Sequence, residues 1–218
     1  YGHQHGLFAE KDFAKHDVLV TVPLSAALST ETALGSPLRG LILEDELLRQ
    51  IPSLTLALHL LAERAAGAAS RFAPFIDLLP DDVSNALFFA AGDFGALRAS
   101  PCALQCMRFV RTTARHYVRL HEAVAKGKVP SVAPLFTWAW FRWAMALVMS
   151  RQNKVPVDGP NEAALALVPL WDLINHEDGE MTTDFDDDGD RPAVRCHALR
   201  AFRAGEEVRM CYGERGNA

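Results

Sequence analysis

The feature that most constrains the fold is a change of hydrophobic texture along the chain, from β-like to helical and back to β-like. The first part, residues 8–23, includes the β-branched run 18–22, which has the period of a strand. Helical spacing of apolar residues begins near Ser53, and residues 194–208 again alternate short strands with a turn. Neither β-like end holds enough strands to close a core. We therefore expect both ends to form one sheet system, with the helical part inserted between them.

Two longer helices are predicted within the helical part. Residues 102–124 repeat apolar side chains at helical spacing and predict a buried face. That face consists of Leu104, Phe109, Ala114, Tyr117 and Leu120. Residues 136–149 predict a second helix, rich in tryptophan. Its apolar stretch is shorter than the roughly 20 residues a membrane helix needs and contains Arg142, so it is expected to be buried in protein.

Composition excludes several classes of protein. The chain has 218 residues, 50% of them hydrophobic, and a net charge of −5, as in an ordinary globular protein that can bury a core without disulfides. Acidic net charge gives no long-range attraction for phosphate backbones or anionic lipid, so we expect neither nucleic acid nor membrane as a partner. The four cysteines fit no disulfide framework and are interpreted as free thiols.

Two parts of the sequence partly match metal-binding patterns. Residues 184–189 match the first half of a calcium loop, but its twelfth position is Arg195 instead of a bidentate glutamate, which favours a solvated hairpin loop. Cys102 and Cys106 lie one helical turn apart, and Cys196 precedes a histidine, yet structural zinc sites use tighter paired spacing. We expect no metal.

Polar residues stand at the end of the apolar run 165–176. Trp171, Asp172, Asn175 and His176 follow a strand-like segment directly, and buried polar groups must be paired or used. Taken alone, this pattern fits a satisfied turn and a ligand pocket equally well.

Two further segments are ambiguous when read singly. Arg151, Gln152 and Asn153 end the tryptophan-rich helix, where helix capping and a functional role are about equally plausible readings. Tyr212 ends the last strand-like run before a glycine, a position where tyrosines mostly serve packing.

Together and in this order, these segments resemble the SET-domain protein methyltransferases with a long helical insert, the group of the RuBisCO large-subunit methyltransferase. RQN, PLWD, the following TT and YGxRxNA are most similar to the branch that methylates a histidine of actin. The resemblance implies an α+β fold of short twisted strands, with a threaded C-terminal segment and a long helical insertion. It divides the chain into residues 1–35 and 151–218 of the SET domain and an insert at 36–150, and implies that a C-terminal substrate-binding lobe is absent from this chain.

The resemblance also implies a cofactor, S-adenosylmethionine, and roles for particular residues. Cofactor contacts fall on Asp17, Arg151, Asp172, Asn175 and His176. Substrate contacts fall on Arg115, Gln152, Trp171 and Arg215. Tyr212 takes the place of the active-site tyrosine, and Asn153 that of the residue that orients the target ring.

The chemistry explains why the RQN motif indicates histidine. A lysine, with a reference pKa of about 10.4, must first lose a proton, whereas an imidazole near 6.5 is mostly neutral at pH 7. Histidine mainly needs its tautomer fixed, which Asn153 can do by a hydrogen bond to the far ring nitrogen. The alternatives are a lysine methyltransferase of the same fold that acts on a protein other than actin, and a non-catalytic SET scaffold that binds a partner peptide. We expect actin as the protein partner, a monomer, and a cytoplasmic, alternatively nuclear, location.

Overall fold

The computed structural model describes residues 6–157, 163–186 and 192–213. The strands are β1 (Leu7–Phe8), β2 (Val18–Pro23), β3 (Leu28–Ser29), β4 (Asn153–Pro156), β5 (Ala163–Leu167), β6 (Asn175–His176), β7 (Thr183–Asp186), β8 (Ala193–His197) and β9 (Glu207–Met210). The helices are α1 (Thr30–Leu34), α2 (Arg39–Glu44), α3 (Glu46–Gln50), α4 (Pro52–Ala66), α5 (Ala73–Ile76), α6 (Ala91–Ala96), α7 (Cys102–Ala125) and α8 (Trp138–Arg151).

The chain forms two compact units. The first, the β unit, contains the chain up to Ala27 and again from Asn153 onward, and the second, the helical unit, runs from Leu28 to Gln152. The expected texture, β then helical then β, is therefore observed. The domain bounds predicted from the sequence stay a prediction, because contact density alone does not establish independent folding.

The β unit is built from short strands joined over long sequence distances. β9 lies between β1, to which it is antiparallel, and β6, to which it is parallel. β8 lies between β2 and β7 and is antiparallel to both, while β4 and β5 form an antiparallel pair. Strands from the two ends of the chain thus pair with each other, as the shortness of each end predicted, but they form separate three-stranded sheets and not the single sheet system that was expected.

Two hydrophobic clusters stabilise the β unit. One surrounds Phe202 and Ile174, which are almost completely buried, and also contains Cys196 and Met210. The other is built from small and β-branched side chains: Val22, Ala27, Val155, Ala164, Ala166, Val168 and Val194. Trp171 is partly buried and packs against both clusters, so its ring is held from two sides.

The helical unit packs around α4, in which every residue from Leu54 to Ala62 is buried. Thr137 begins α8 and accepts a hydrogen bond on its hydroxyl from the Trp140 amide at 3.3 Å, the usual N-cap geometry. Phe141 of α8 is completely buried beside Tyr117 and Phe136. No helix in the described part of the chain is long and apolar enough to cross a membrane.

Most of the local predictions are confirmed. Both longer helices form, within two residues of their expected bounds, and all four cysteines are free thiols. Leu104 was wrongly placed on the buried face of α7, since its side chain is exposed. Within the described residues, no cluster of three or more potential ligands could hold a metal ion. The second half of the calcium-loop-like segment, residues 187–189, lies outside the described residues.

Candidate active site

Parallel pairing of β6 with β9 brings together side chains from distant parts of the sequence. Asn175 lies opposite Arg209 and His176 opposite Met210, so both polar residues of β6 adjoin the strand that leads into Tyr212. The Glu177 amide donates to the Met210 carbonyl at 3.0 Å and continues the pairing beyond β6. Two of the five predicted cofactor residues, Asn175 and His176, therefore lie beside the strand that leads into the predicted active-site tyrosine.

His176 is held in one tautomer by its two neighbours. Its Nδ1 accepts a hydrogen bond from the backbone amide of Tyr212 at 3.2 Å, and a backbone amide can only donate. Its Nε2 faces the Asp178 carboxylate at 3.2 Å and therefore carries the proton. The His176 ring thus ties the end of β6 to the backbone of Tyr212.

Tyr212 is anchored by its hydroxyl and by its ring. The hydroxyl donates to the carbonyl oxygen of Ile174 at 2.6 Å, directly before Asn175. Its ring centroid lies 5.1 Å from that of His176, at an interplanar angle of 34°. The residue remains 37% exposed, so part of it is accessible to solvent.

Asn175 belongs to a polar chain that the sequence analysis did not find. Its Nδ2 donates to Glu207 Oε1 at 2.6 Å, and the other carboxylate oxygen of Glu207 accepts from the Arg209 guanidinium. The hydrogen bond from Asn175, together with Arg209, lowers the pKa of Glu207 below its ordinary value, against the opposing effect of burial. Glu207 was missed because a glutamate just after a glycine turn is typical of solvated surface, and nothing in the linear sequence shows its partner.

Trp171 and Asp172 follow a strained turn. Leu170 has φ 62° and ψ −49°, and the Trp171 amide donates to the Pro169 carbonyl at 2.6 Å, which closes a γ-turn of the rare, strained form. The Trp171 indole donates to the Thr183 hydroxyl at 3.2 Å, and Asp172 is buried. Backbone strain of this kind persists only where the surroundings fix it, which marks the segment as a functional candidate.

Asp17 and Asn153 occupy other parts of the β unit. Asp17 lies directly before β2 and is exposed, and its carboxylate accepts from the Ala14 amide at 2.7 Å. That contact gives Asp17 a local role in the turn, beside its predicted role as a cofactor contact. Asn153 is the first residue of β4, opposite Ala166, and is partly exposed.

The remaining predicted residues belong to the helical unit or lie outside the described residues. Arg151 is the last residue of α8 and Gln152 its C-cap, where Gln152 Nε2 lies 3.8 Å from the Met149 sulfur. Gln152 Oε1 is buried and accepts no hydrogen bond from any described residue. Arg115 is exposed on α7, and Arg215 lies outside the described residues.

The sequence is similar to those of curated proteins. The chain is 35% identical to the actin-histidine N-methyltransferase of Canis lupus familiaris and 34% identical to that of Homo sapiens, each over 98% of this chain and 36% of the relative. It therefore spans little more than a third of the length of these curated relatives.

Solved structures give the same architecture. The SET domain of LSMT bound to lysine and AdoHcy matches with a TM-score of 0.81 and 21% identity, over 95% of this chain and 47% of that one. Rubisco LSMT bound to AdoMet matches with a TM-score of 0.78 and 22% identity, again over 95% of this chain and 46% of that one. The family model of the SET domain matches residues 4–213, and with nearly the whole chain covered, this protein belongs to the SET domain family.

Proposed function

We propose that this chain is the SET portion of an S-adenosylmethionine-dependent protein methyltransferase that methylates a histidine of actin. The observation that carries the proposal is the shared sheet edge of β6 and β9, where the Tyr212 amide donates to His176, the Tyr212 hydroxyl donates to Ile174, and Asn175 lies between Ile174 and His176. Similarity to the actin-histidine methyltransferases over 98% of the chain supports the choice of substrate. An actin substrate favours a cytoplasmic or nuclear location.

The chemistry of the β-unit residues fits the cofactor. S-adenosylmethionine carries an ammonium group, a carboxylate, ribose hydroxyls and an adenine, and so needs both acceptors and donors. The β unit offers a buried carboxylate at Asp172 and a carboxamide at Asn175, with His176 beside them. Arg151, which ends α8, supplies a cation suited to the cofactor carboxylate. We assign these four residues, with Asp17, to cofactor binding.

The cofactor, when bound, supplies a methyl group on a sulfonium, and the protein has little covalent chemistry to perform. Methyl transfer to an imidazole nitrogen would form a carbon–nitrogen bond as the carbon–sulfur bond breaks, S-adenosylhomocysteine would leave, and the ring proton would pass to solvent. Rate acceleration then comes from aligning the two groups and excluding water. Tyr212, anchored at both its hydroxyl and its ring, is suited to hold that alignment.

Trp171 and Gln152 offer further groups that suit an imidazole. The Trp171 ring is packed against both clusters of the β unit and is therefore a rigid wall. Gln152 Oε1 is a buried acceptor without a hydrogen bond from the described residues, and an unmet acceptor of this kind suits an N–H donor of a ligand. We assign Asn153 to fixing the ring tautomer, and Trp171 and Gln152 to contacting the ring.

The test uses the full-length gene product, actin and isotopically labelled S-adenosylmethionine. Tandem mass spectrometry maps the labelled residue, and the experiment is repeated with that histidine of actin replaced. Label on histidine, lost on replacement, supports the proposal. Replacing Asn153 by an aromatic residue is then expected to abolish the labelling; if histidine labelling persists, the role given to Asn153 is wrong.

Two other functions are outcomes of the same experiment. Label on a lysine indicates a lysine methyltransferase, the function favoured by the lysine-bound structural neighbour. An absence of label, together with no calorimetric binding of S-adenosylmethionine, indicates a non-catalytic scaffold. Cofactor binding that is lost in Asn175→Ala excludes the scaffold.

A further inference from the structure

The Glu207 side chain makes hydrogen bonds to two other side chains, and these bonds are not part of the backbone pairing of the sheet. Glu207 begins β9, and its backbone lies opposite Phe8 of β1. Its side chain, 24% exposed, reaches across to β6 and accepts from Asn175 Nδ2 at 2.6 Å. Its second oxygen is bound by Arg209, so both oxygens of this carboxylate are engaged.

The contact decides which way the Asn175 carboxamide points. The oxygen and the NH₂ group of a carboxamide have nearly the same shape, so packing alone does not distinguish the two orientations. A carboxylate only accepts hydrogen bonds, and Glu207 therefore requires the NH₂ group of Asn175 on its own side. The carbonyl oxygen Oδ1 is turned away from Glu207 as a consequence.

Gly6 lies close to both Glu207 and Asn175. A Cβ atom at this position would lie 2.8 Å from Glu207 Oε1 and 3.2 Å from Asn175 Nδ2. A side chain there would displace the carboxylate, so glycine allows the backbone that leads into β1 to cover the Glu207–Asn175 hydrogen bond. Exclusion of other donors on this side strengthens the bond and its orienting effect.

We propose that Glu207 is a positioning residue for cofactor binding: it fixes the carboxamide of Asn175 so that Oδ1 is presented to a hydrogen-bond donor of S-adenosylmethionine, a role that rests on the proposed function. Glu207 itself contacts the cofactor only through Asn175. Its lowered pKa keeps it ionised, and hence purely an acceptor, at neutral pH. An uncharged amide at this position would permit both orientations of Asn175.

The test compares Glu207→Gln with Glu206→Gln in the full-length protein. Glu206 is the matched control, because it is the adjacent residue, is also paired with an arginine (Arg200, at 2.6 Å) and has no hydrogen bond to Asn175. Calorimetric titration with S-adenosylhomocysteine and thermal unfolding without ligand are measured for both variants. We expect Glu207→Gln to weaken binding about tenfold. We expect Glu206→Gln to lower the melting temperature while leaving the dissociation constant within about twofold.

A double-mutant cycle separates positioning from a general structural role. If Glu207 acts through Asn175, then Glu207→Gln adds no further loss of affinity in an Asn175→Ala background. With substrate present, we expect the KM for S-adenosylmethionine to rise about tenfold with little change in kcat. Should Glu207→Gln not fold, Gly6→Ala displaces the same hydrogen bond without changing a polar group and is expected to weaken binding in the same direction.

The outcomes are distinguishable. Losses of affinity that add in the double variant, or equal affinities for Glu207→Gln and Glu206→Gln, overturn the positioning role and leave the proposed function intact. Failure of the wild-type protein to bind either S-adenosylmethionine or S-adenosylhomocysteine overturns both.

Discussion

The two compact units use their polar residues in opposite ways. In the β unit, polar side chains form a linked set at one sheet edge, in which His176, Asn175 and Tyr212 each have a defined partner. In the helical unit, the central helix α4 is buried along most of its length, and its buried histidine, His59, lies inside the core with its Nε2 3.0 Å from the Thr32 hydroxyl. The first arrangement orients groups and the second stabilises a core.

The contrast shows where function and stability are concentrated. Orienting groups requires hydrogen bonds of defined direction, which contribute only about 1 kcal/mol each to folding. Burial of large apolar side chains contributes several times more per residue. Substitutions in the buried core of the helical unit should therefore act mainly on stability, and substitutions at the sheet edge mainly on binding and turnover.

The largest effect is expected for Phe141→Ala in α8. The side chain is completely buried among aromatic rings, so its removal leaves a cavity and lowers the free energy of unfolding by about 4 kcal/mol. Leu104→Ala in α7 is the control, with an expected change within about 0.5 kcal/mol because Leu104 is exposed. Denaturant unfolding measures both, and a loss below about 1 kcal/mol for Phe141→Ala would show that the surrounding helices collapse into the space.

A pH dependence of comparable size is expected from His59. Burial, and secondarily the nearby Arg71, lower the pKa of His59 from 6.5 to about 4. Between pH 6.5 and pH 4, His59 is protonated in the unfolded chain but stays neutral in the folded chain. The free energy of unfolding therefore falls as the pH is lowered through this range, by about 3 kcal/mol from this residue. Unfolding measured across this range in wild type and in His59→Gln tests this; an unchanged slope in the variant would assign the dependence to other groups.

Tyr212→Phe tests whether the sheet edge acts on turnover more than on cofactor binding. Loss of the hydroxyl removes the 2.6 Å hydrogen bond to Ile174 and frees the ring, so turnover should fall about tenfold while the dissociation constant for S-adenosylmethionine changes less than about twofold. Tyr117→Phe, in the aromatic cluster of the helical unit, is the control and should leave turnover unchanged. Equal losses of turnover and of cofactor affinity for Tyr212→Phe would contradict an active-site role.

The smallest effect is expected at a helix cap. Thr137→Ala removes the hydroxyl that accepts the Trp140 amide and should lower the free energy of unfolding by about 1 kcal/mol, whereas Thr137→Ser keeps the acceptor and should cost little. Activity per folded molecule should be unchanged in both. A fall in kcat for Thr137→Ala at full folding would mean that the start of α8 also shapes the active site.

In both units, a feature could be predicted from the sequence when it depends on one short segment. Helix α8 and the strand β2 were predicted closely, because both follow from the spacing of apolar residues within one short segment. The exposure of Leu104 was missed, since spacing indicates which residues share a face but not whether another element covers that face.

The candidate site shows the same division. Asn175, His176 and Tyr212 could be named because their motifs are local, and the roles given to them stay a proposal. The hydrogen bond from Asn175 to Glu207 joins residues 32 positions apart, and no local pattern signals such a contact. The strained backbone at Leu170 was equally invisible, since leucine has no preference for a positive φ.

The sequence by itself determined the order of the elements, the bounds of the long helices, the free state of the cysteines and the family resemblance, all of which depend on short-range spacing or on local motifs. Only the tertiary structure decided which strand pairs with which, and therefore that β9 lies between β1 and β6. That pairing sets the tautomer of His176, the orientation of Asn175 and the position of Glu207. The direction of a hydrogen bond depends on partners that the fold brings together. The sheet edge of β6 and β9 therefore obtains the geometry of a candidate active site only from the tertiary structure.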